Sequence, residues 1–359
     1  MSLDGTRAHT TTADALPPLV ADAVAVAERL RFGYSCRPEH GRLLQALAAG
    51  ATRIGETGTG CGVGLAWLAS GMRRPRAVAV SVERDPVRAE AAAQVFQGRP
   101  DITVLRGDWT AIAEHGPYDL LVLDGGGQGK GDGLPADPER LLRPGGVLVV
   151  DDFTPADTWP PLHEGCPDEA RLHWLAHPAL RTLEIPLAPD LAVLVATRRF
   201  PDPAETWTVG AVILNAEGKA FAQKRSVGRR LFPDCWDIVG GHVDPGETLL
   251  EALVREVEEE TGWRVRRLVR CLGVSAWTGD DGLGVRREVD YVVQVDGDLD
   301  NPALEWDKHS AYGWFGPDDL PRLKESRASG DLLIHDLIAR GMGVSSRSPA
   351  RPVRPAARG

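Results

Sequence analysis

Short apolar runs recur through the first half of the chain: "ATRIGE", "AVAVSVE", "ITVLRGD", "YDLLVLD" and "GGVLVVDDF". Each has the length of a strand, and helical stretches such as "DPVRAEAAAQVFQ" lie between them. That alternation predicts an α/β fold with a mostly parallel sheet covered by helices. A helix is expected around "DEARLHWLAH", and "LRTLEIPLAPDLAVLVATRR" reads as a β-hairpin closing the sheet. "FPDPAET" has the polar, proline-bearing character of a linker. Beyond it the pattern changes. "WTVGAVILN" and "AFAQKRS" read as a hairpin around Glu217 and Gly218, followed by a glycine-rich turn and a helix. "RRLVRCLGVSAW", "REVDYVVQVDG" and "YGWF" read as strands and "DLLIHDLIARG" as a final helix, which makes the second unit α+β.

The expected organisation has five parts: a disordered N-terminus over 1–16, an α/β domain over 17–199, a linker over 200–206, an α+β domain over 207–341 and a disordered basic tail over 342–359. A length of 359 residues suits two domains. The net charge of −10 disfavours binding to duplex nucleic acid or to an anionic membrane. No apolar run approaches the roughly 20 residues of a membrane span, and the N-terminus lacks the apolar core of a secretory signal. Cys36, Cys61, Cys166, Cys235 and Cys271 are scattered and odd in number, as reduced thiols of a cytoplasmic protein would be.

"GGHVDPGETLLEALVREVEEETGW" places Glu256, Glu259 and Glu260 on one helix face, beside an apolar face of Leu250, Leu253, Val254 and Val257. Like charges at this spacing cost roughly 0.2–0.5 kcal/mol per pair, so a cation is expected among them. A solvated acidic face is the bland reading. Against it, Gly241, Glu247, Arg255, Glu256, Glu259, Glu260 and Gly262 fit G-x5-E-x7-R-E-U-x-E-E-x-G-U, with Val257 and Trp263 at the bulky positions. Here the chain resembles the Nudix hydrolases, from about Trp207 to Gly341. The resemblance implies hydrolysis of a small phosphorylated substrate, a nucleoside diphosphate linked to another group. It implies Glu256, Glu259 and Glu260 as ligands of Mg²⁺ or Mn²⁺, with the Gly240 carbonyl a fourth and Glu256 a candidate to activate water. Arg255 and Glu247 would pair and fix the loop on the helix. Hard carboxylate oxygens on one ridge suit such ions independently.

In the first domain, "RIGETGTGCGVGLAWLA" puts an acid and a G-x-G-x-G turn after a strand. With Glu83 ending the next strand and Asp108 in "LRGDW", the set resembles the class I S-adenosylmethionine-dependent methyltransferases from about Leu19 to Arg199. The resemblance implies a cofactor site built from Glu56, Gly58, Gly60, Gly62, Glu83 and Asp108, with Glu83 on the ribose hydroxyls. Asp124, Asp151 and Asp152 resemble the magnesium ligands of the catechol O-methyltransferase group, although that group has D-N where this chain has D-D. Lys130 in "DGGGQGKGDG" either replaces the group's lysine or belongs to a plain glycine loop. The methyl acceptor and the oligomeric state are not written in the sequence.

Several further residues admit two readings. Lys224 and Arg225 either face phosphates or are surface charges. Glu288 and Asp290 alternate onto one strand face, so either is a candidate further acid, with Glu305 a weaker one. Trp236, Trp277 and Trp306 either stack on a base or, more in keeping with their type, pack in the core. His163, Cys166, His173 and His177 have metal-binding residue types, but the spacing favours an ordinary helix. The sequence therefore predicts a bifunctional hydrolase and methyltransferase; the alternative is a Nudix enzyme or nucleotide sensor whose first domain only binds cofactor.

Overall fold

The computed structural model describes residues 4–10, 15–278 and 284–344. Three helices open the chain: α1 (Gly5–Thr10), α2 (Pro18–Arg29) and α3 (Pro38–Ala48). Then strands and helices alternate as β1 (Arg53–Thr57), α4 (Val63–Gly71), β2 (Val78–Glu83), α5 (Pro86–Val95), β3 (Ile102–Arg106) and β4 (Tyr118–Leu123). The domain closes with α6 (Pro138–Leu141), β5 (Leu142–Phe153), α7 (Glu169–Ala176), β6 (Leu180–Ala188) and β7 (Leu191–Arg198). The strand order is β3-β2-β1-β4-β5-β7-β6. The first five are parallel, and the predicted hairpin β6–β7 joins the edge antiparallel to β5. Apolar side chains cover both faces: Leu44, Ile54 and Leu65 on one, Tyr118, Leu148 and Trp174 on the other. The carboxyl ends of β1, β2, β4 and β5 therefore share one edge, where open α/β sheets bind ligands.

The N-terminus departs from the expected disorder over 1–16. Thr6 and His9 on α1 are buried. His9 Nε2 accepts from Trp67 Nε1 at 3.1 Å, and Thr6 Oγ1 donates to the Phe32 carbonyl at 2.6 Å. The polar residues of this segment find partners on the domain, which composition alone does not reveal. At the other end, Met342 and Val344 pack on the core, and residues 345–359 of the expected basic tail lie outside the described residues.

The second domain runs β8 (Thr206–Ile213), β9 (Ala220–Arg225), β10 (Trp236–Asp237), β11 (Val239–His242), α8 (Leu249–Thr261), β12 (Arg264–Thr278), β13 (Val285–Asp296), β14 (His309–Phe315) and α9 (Leu333–Gly341). Its strands form two sheets, β11-β8-β13-β12 and β10-β9-β14. The expected β8–β9 hairpin is thus not a ladder. The turn exists, with Asn215 accepting from Gly218 N at 3.0 Å, but only a bridge between Leu214 and Ala220 links its arms. β8 instead pairs in parallel with β13, which follows far later in the chain.

Helix α8 buries Leu249, Leu253 and Val257 against Phe221 and Trp263. A capping box of Thr248 and Glu251 starts it, and Gly262, at φ +72°, ends it in the left-handed conformation that suits glycine. The first domain adds a second set of caps. Asp137 Oδ2 accepts from Thr248 Oγ1 at 2.6 Å, and Glu139 Oε2 accepts from Leu249 N at 3.2 Å. Arg140 forks onto both oxygens of Glu251 at 2.6 Å each and onto the Gly246 carbonyl at 3.1 Å. Carboxylates beside a helix N-terminus also meet the positive end of its dipole.

Because Arg140 and Glu251 are 54% and 39% exposed, their fork is worth at most about 1 kcal/mol. Arg140→Ala is expected to speed amide exchange across Leu249–Glu251 about three- to fivefold while the melting temperature of the chain barely moves. Unchanged exchange in that stretch would show that α8 does not need the first domain's fork.

Candidate functional sites

In the first domain a cavity of about 490 Å³ opens at the carboxyl edge of the sheet, lined by Gly58, Gly60, Glu83, Asp108, Trp109 and Asp124 among others. Gly58 and Gly60 have φ of +84° and +55°. A Cβ on Gly58 would stand 2.3 Å from the Gly125 Cα, so glycine is required where the two loops touch. Glu83 Oε2 accepts from Gly60 N at 2.8 Å, and its Oε1 accepts from Asp85 N and Arg88 Nη2 at 2.8 and 2.9 Å. Asp108 caps the 3₁₀ turn Trp109–His115 by accepting from Thr110 N at 3.1 Å. Glu56 and Gly62 are placed differently from expectation, since neither lines the cavity. Glu56 lies beneath the turn, against Gly64, and accepts from Ser81 Oγ at 2.5 Å. Burial pushes its carboxyl up to about 8 despite that bond.

The expected aspartate trio does not converge. Among the described residues no three His, Cys, Asp or Glu side chains stand at metal-binding spacing, neither these aspartates nor the α8 glutamates as arranged. Asp151 Oδ2 lies 2.9 Å from His40 Nδ1, deep in the domain. Burial opposes charge on His40, but Asp151, Asp124 and Glu56 outweigh it and raise its pKa. Asp152, at φ +75° where the β5–β7 register shifts, faces Lys130 Nζ at 3.5 Å. Asp124 is left in the cavity wall, pushed up to about 7 by burial and by Asp151. Asp151 and Asp152 are thus met separately by side-chain cations, and as arranged the three do not fit a shared divalent ion. Lys130 is drawn out of its glycine loop: it donates to the Asp151 carbonyl at 2.9 Å and stands 4.0 Å over the Phe153 ring. Burial lowers it to about 8.

On α8 the cation is a guanidinium. Arg255 Nη1 donates to Glu256 Oε1 at 2.8 Å and to Glu259 Oε2 at 3.1 Å. Its Nε and Nη2 fork onto Glu247 at 2.9 Å each, and Nη2 also reaches the His242 carbonyl at 2.9 Å. The expected Glu247–Arg255 pair is therefore present, and Arg255 relieves the repulsion along the ridge as well. The bond from Arg255 holds the Glu247 carboxyl below its usual range. Glu256 is half-buried against Gly241, where a Cβ would meet its carboxylate at 2.2 Å; burial raises it in spite of Arg255. Glu260 turns inward, accepting from Gln223 Nε2 at 2.6 Å and Gly240 N at 3.2 Å. Burial pushes it up to about 7.

Around this ridge the sheet brings up further acids. Glu288 and Asp290 share a face of β13 over Gly210, where a Cβ would lie 2.3 Å from Asp290 Oδ1. They hydrogen-bond to each other, and burial raises both. Asp237 joins them electrostatically and is matched by Arg225 at 3.2 Å. Lys224 pairs with Asp234 at 3.2 Å, and Glu305 with Lys308 at 2.7 Å. Trp236 is buried on Phe315, Trp277 carries Arg286 4.7 Å above its ring, and Trp306 is 60% exposed. His173 and His177 are buried beside Trp174, whereas His163 and Cys166 are exposed, so the four do not meet. Gln223 and Asp237 were not foreseen, because nothing local in the sequence ties them to α8.

The family model of the NUDIX domain matches residues 204–336, and that of a methyltransferase domain matches residues 56–153. An RNA pyrophosphohydrolase of Erythrobacter litoralis is 33% identical over 129 residues, covering 32% of this chain and 77% of that protein. A Nudix hydrolase of Nostoc sp. is 47% identical over 53 residues, 14% of this chain, which spans only 31% of that protein. The O-methyltransferase from Bacillus cereus, solved in complex with SAH, is 17% identical with a TM-score of 0.42, covering 54% of this chain and 96% of that one. The matched stretches fall on the acidic ridge of the second domain and the glycine turn of the first: the chain belongs to the Nudix hydrolases and carries a methyltransferase domain ahead of its hydrolase domain.

Proposed function

We propose that the second domain hydrolyses the diphosphate bond of a small phosphorylated substrate, a nucleoside diphosphate derivative, with Mg²⁺ or Mn²⁺ held by Glu256, Glu259, Glu260 and the Gly240 carbonyl. The observation that carries this reading is the ridge itself: Glu256, Glu259 and Glu260 share one side of α8 against the Gly240–Gly241 backbone, with Arg255 holding the first two. The donor set is all oxygen, as these hard ions prefer. Beside Glu260, Gln223 Oε1 is buried with no hydrogen-bond partner among the described residues. The likeness to an RNA pyrophosphohydrolase is in keeping with cleavage between phosphates. A bound divalent ion supplies charge neutralisation on the diphosphate and a more acidic water. Glu256, raised by burial, is the group suited to take a proton from that water. Glu247 and the His242 carbonyl hold Arg255, so the ridge keeps its spacing. Turnover of a panel of nucleoside diphosphate derivatives with Mg²⁺, scored for phosphate products, tests the reading; turnover of none favours a sensor.

In the first domain the cavity is proposed to hold S-adenosylmethionine, with Glu83 accepting the ribose hydroxyls and Asp108 near the adenine. Methyl transfer needs an acceptor deprotonated in line with the sulfonium carbon. No step is assigned to a second metal ion. The five cysteines are free, in keeping with a cytoplasmic protein, and among the described residues no helix is long and apolar enough to cross a membrane.

Glu259→Gln and Glu260→Gln are each expected to lower kcat/KM by about a hundredfold or more, because each removes charge that binds the ion. Melting temperatures without metal stay level or rise, because like-charge repulsion falls. Wild-type turnover in either variant would overturn the ligand assignment.

Glu260 also sets a pH dependence. Its folded pKa of about 7 exceeds its ordinary 4.5, so the metal-free protein holds a proton that the unfolded chain has released. The group's contribution to stability therefore falls as pH rises from about 4.5 to 7. Metal must displace that proton, so Mn²⁺ affinity should climb about tenfold per pH unit below 7 and level off above it. Titration calorimetry between pH 6 and 8 reads the slope, and a flat profile would remove Glu260 from the ligand set.

Glu83→Ala is expected to weaken S-adenosylmethionine binding about tenfold or more, the loss of charge-assisted hydrogen bonds to the ribose. Equal affinity in wild type and variant, by equilibrium titration, would place the cofactor elsewhere.

A further inference from the structure

A cleft of about 950 Å³ lies between the domains, along the side of α8 that faces α6 and the 3₁₀ turn Trp109–His115. The read apolar face of α8 is split there. Leu249, Leu253 and Val257 enter the hydrolase core. Leu250 and Val254 remain partly exposed and line the cleft. Opposite them stand Trp109, Pro135 and Leu141 of the methyltransferase domain, while Leu134 packs on the hydrolase core at the edge of the cleft. Apolar groups from two domains thus face one another across open volume. The fork of Arg140 on Glu251 and the Asp137–Thr248 bond fix the width between these walls.

Both ends of the cleft are functional. Trp109 and Asp132 also line the cofactor cavity, and Arg255 and Glu259 belong to the acidic ridge. Trp109 rests on the Gly126–Gly127 backbone, where a Cβ would come within 2.6–3.1 Å of its ring, so one side of the indole is immobilised. The lining carries Asp132, Asp137, Glu251, Glu258 and Glu259 against only Arg140 and Arg255. Both guanidiniums are already forked onto carboxylates, Arg140 on Glu251 and Arg255 on Glu247. Asp132 has Arg266 at 3.6 Å, yet its side chain stays 78% exposed. The walls therefore repel an anion and offer it no free cation. Their size and the apolar middle within a charged rim are those of a small-molecule site at a domain interface.

We propose that this cleft is a ligand site shared by the two domains, and that it takes an uncharged or cationic aromatic group of a small molecule. Such a group meets the indole of Trp109 and the side chains of Leu250 and Val254, while the acidic rim favours positive charge. The site borders the cofactor cavity and the ridge, sharing Trp109 and Asp132 with the one and Arg255 and Glu259 with the other. It lies where one molecule reaches toward both.

The test uses the full chain and three probes of one ring system: tryptamine, indole and indole-3-acetate. Protein-observed NMR titration is expected to give saturable binding of tryptamine and indole, with indole-3-acetate at least tenfold weaker than tryptamine. Val254→Trp fills the cleft from the hydrolase side and Ala113→Trp from the exposed methyltransferase side. Each is expected to abolish binding of all three probes while a thermal melt reports a native fold. If one variant melts early, the other decides. No saturable binding of any probe to the wild-type chain would overturn the proposal. So would equal affinity for the cationic and anionic probes, or binding that survives in a natively folded filled variant. None of these outcomes depends on metal or on diphosphate turnover, so the hydrolase reading stands or falls separately.

Discussion

The hydrolase domain is organised around the charge of one guanidinium. Arg255 is surrounded by Glu247, Glu256 and Glu259, all within 3.1 Å. A run of acids on one helical face destabilises the helix that carries it. The fork turns that repulsion into a set of directed bonds, and the bond to the His242 carbonyl ties them to β11. The loop between β11 and α8, the start of the helix and the spacing of the ridge all follow from this hub. Burial of Glu256 and Glu260 is tolerable for the same reason, since both carboxylates have donors aimed at them.

The first domain manages its acids differently. Glu83 ends β2, and Asp151 and Asp152 lie near the end of β5, so the parallel sheet brings all three to its carboxyl edge by topology alone. Each is matched by its own basic side chain: His40, Lys130 and Arg88. Among the described residues Asp124 has none in direct contact, and burial beside Asp151 moves it toward the protonated form. One domain thus concentrates charge on a single hub, and the other distributes it over pairs.

Much of this was readable in the residues. Apolar runs located the strands of the first domain, because the central ones, β1, β2 and β4, are buried on both faces. The glycine turn, Glu83 and the acidic helix were readable because their spacing is local. What stayed hidden depends on distant partners. The helix Gly5–Thr10 is polar and short, and its order comes from Trp67 and Phe32. The β8–β9 turn has the residues of a hairpin, yet the alternation of its arms is the same whether they pair with each other or with separate sheets. Glu56 has the residue type of a ligand-facing acid, but Ser81 and Gly64 hold it below the turn. Lys130 was obscured by the glycines around it, and Gln223 reaches Glu260 from another strand.

The junction between the domains has a consequence for how weak contacts act. Arg140 and Glu251 are 54% and 39% exposed, so water competes for every bond they form. Two free chains would not associate through such a patch. The domains are joined, however, by a connection of a few residues between β7 and β8. Docking is then intramolecular, at the high effective concentration that a short tether confers, with little rotational or translational freedom left to lose. Under those conditions solvated pairs such as Arg140–Glu251, added to the packing of α7 on β12 and of Leu134 on the hydrolase core, suffice to hold two walls at a set distance.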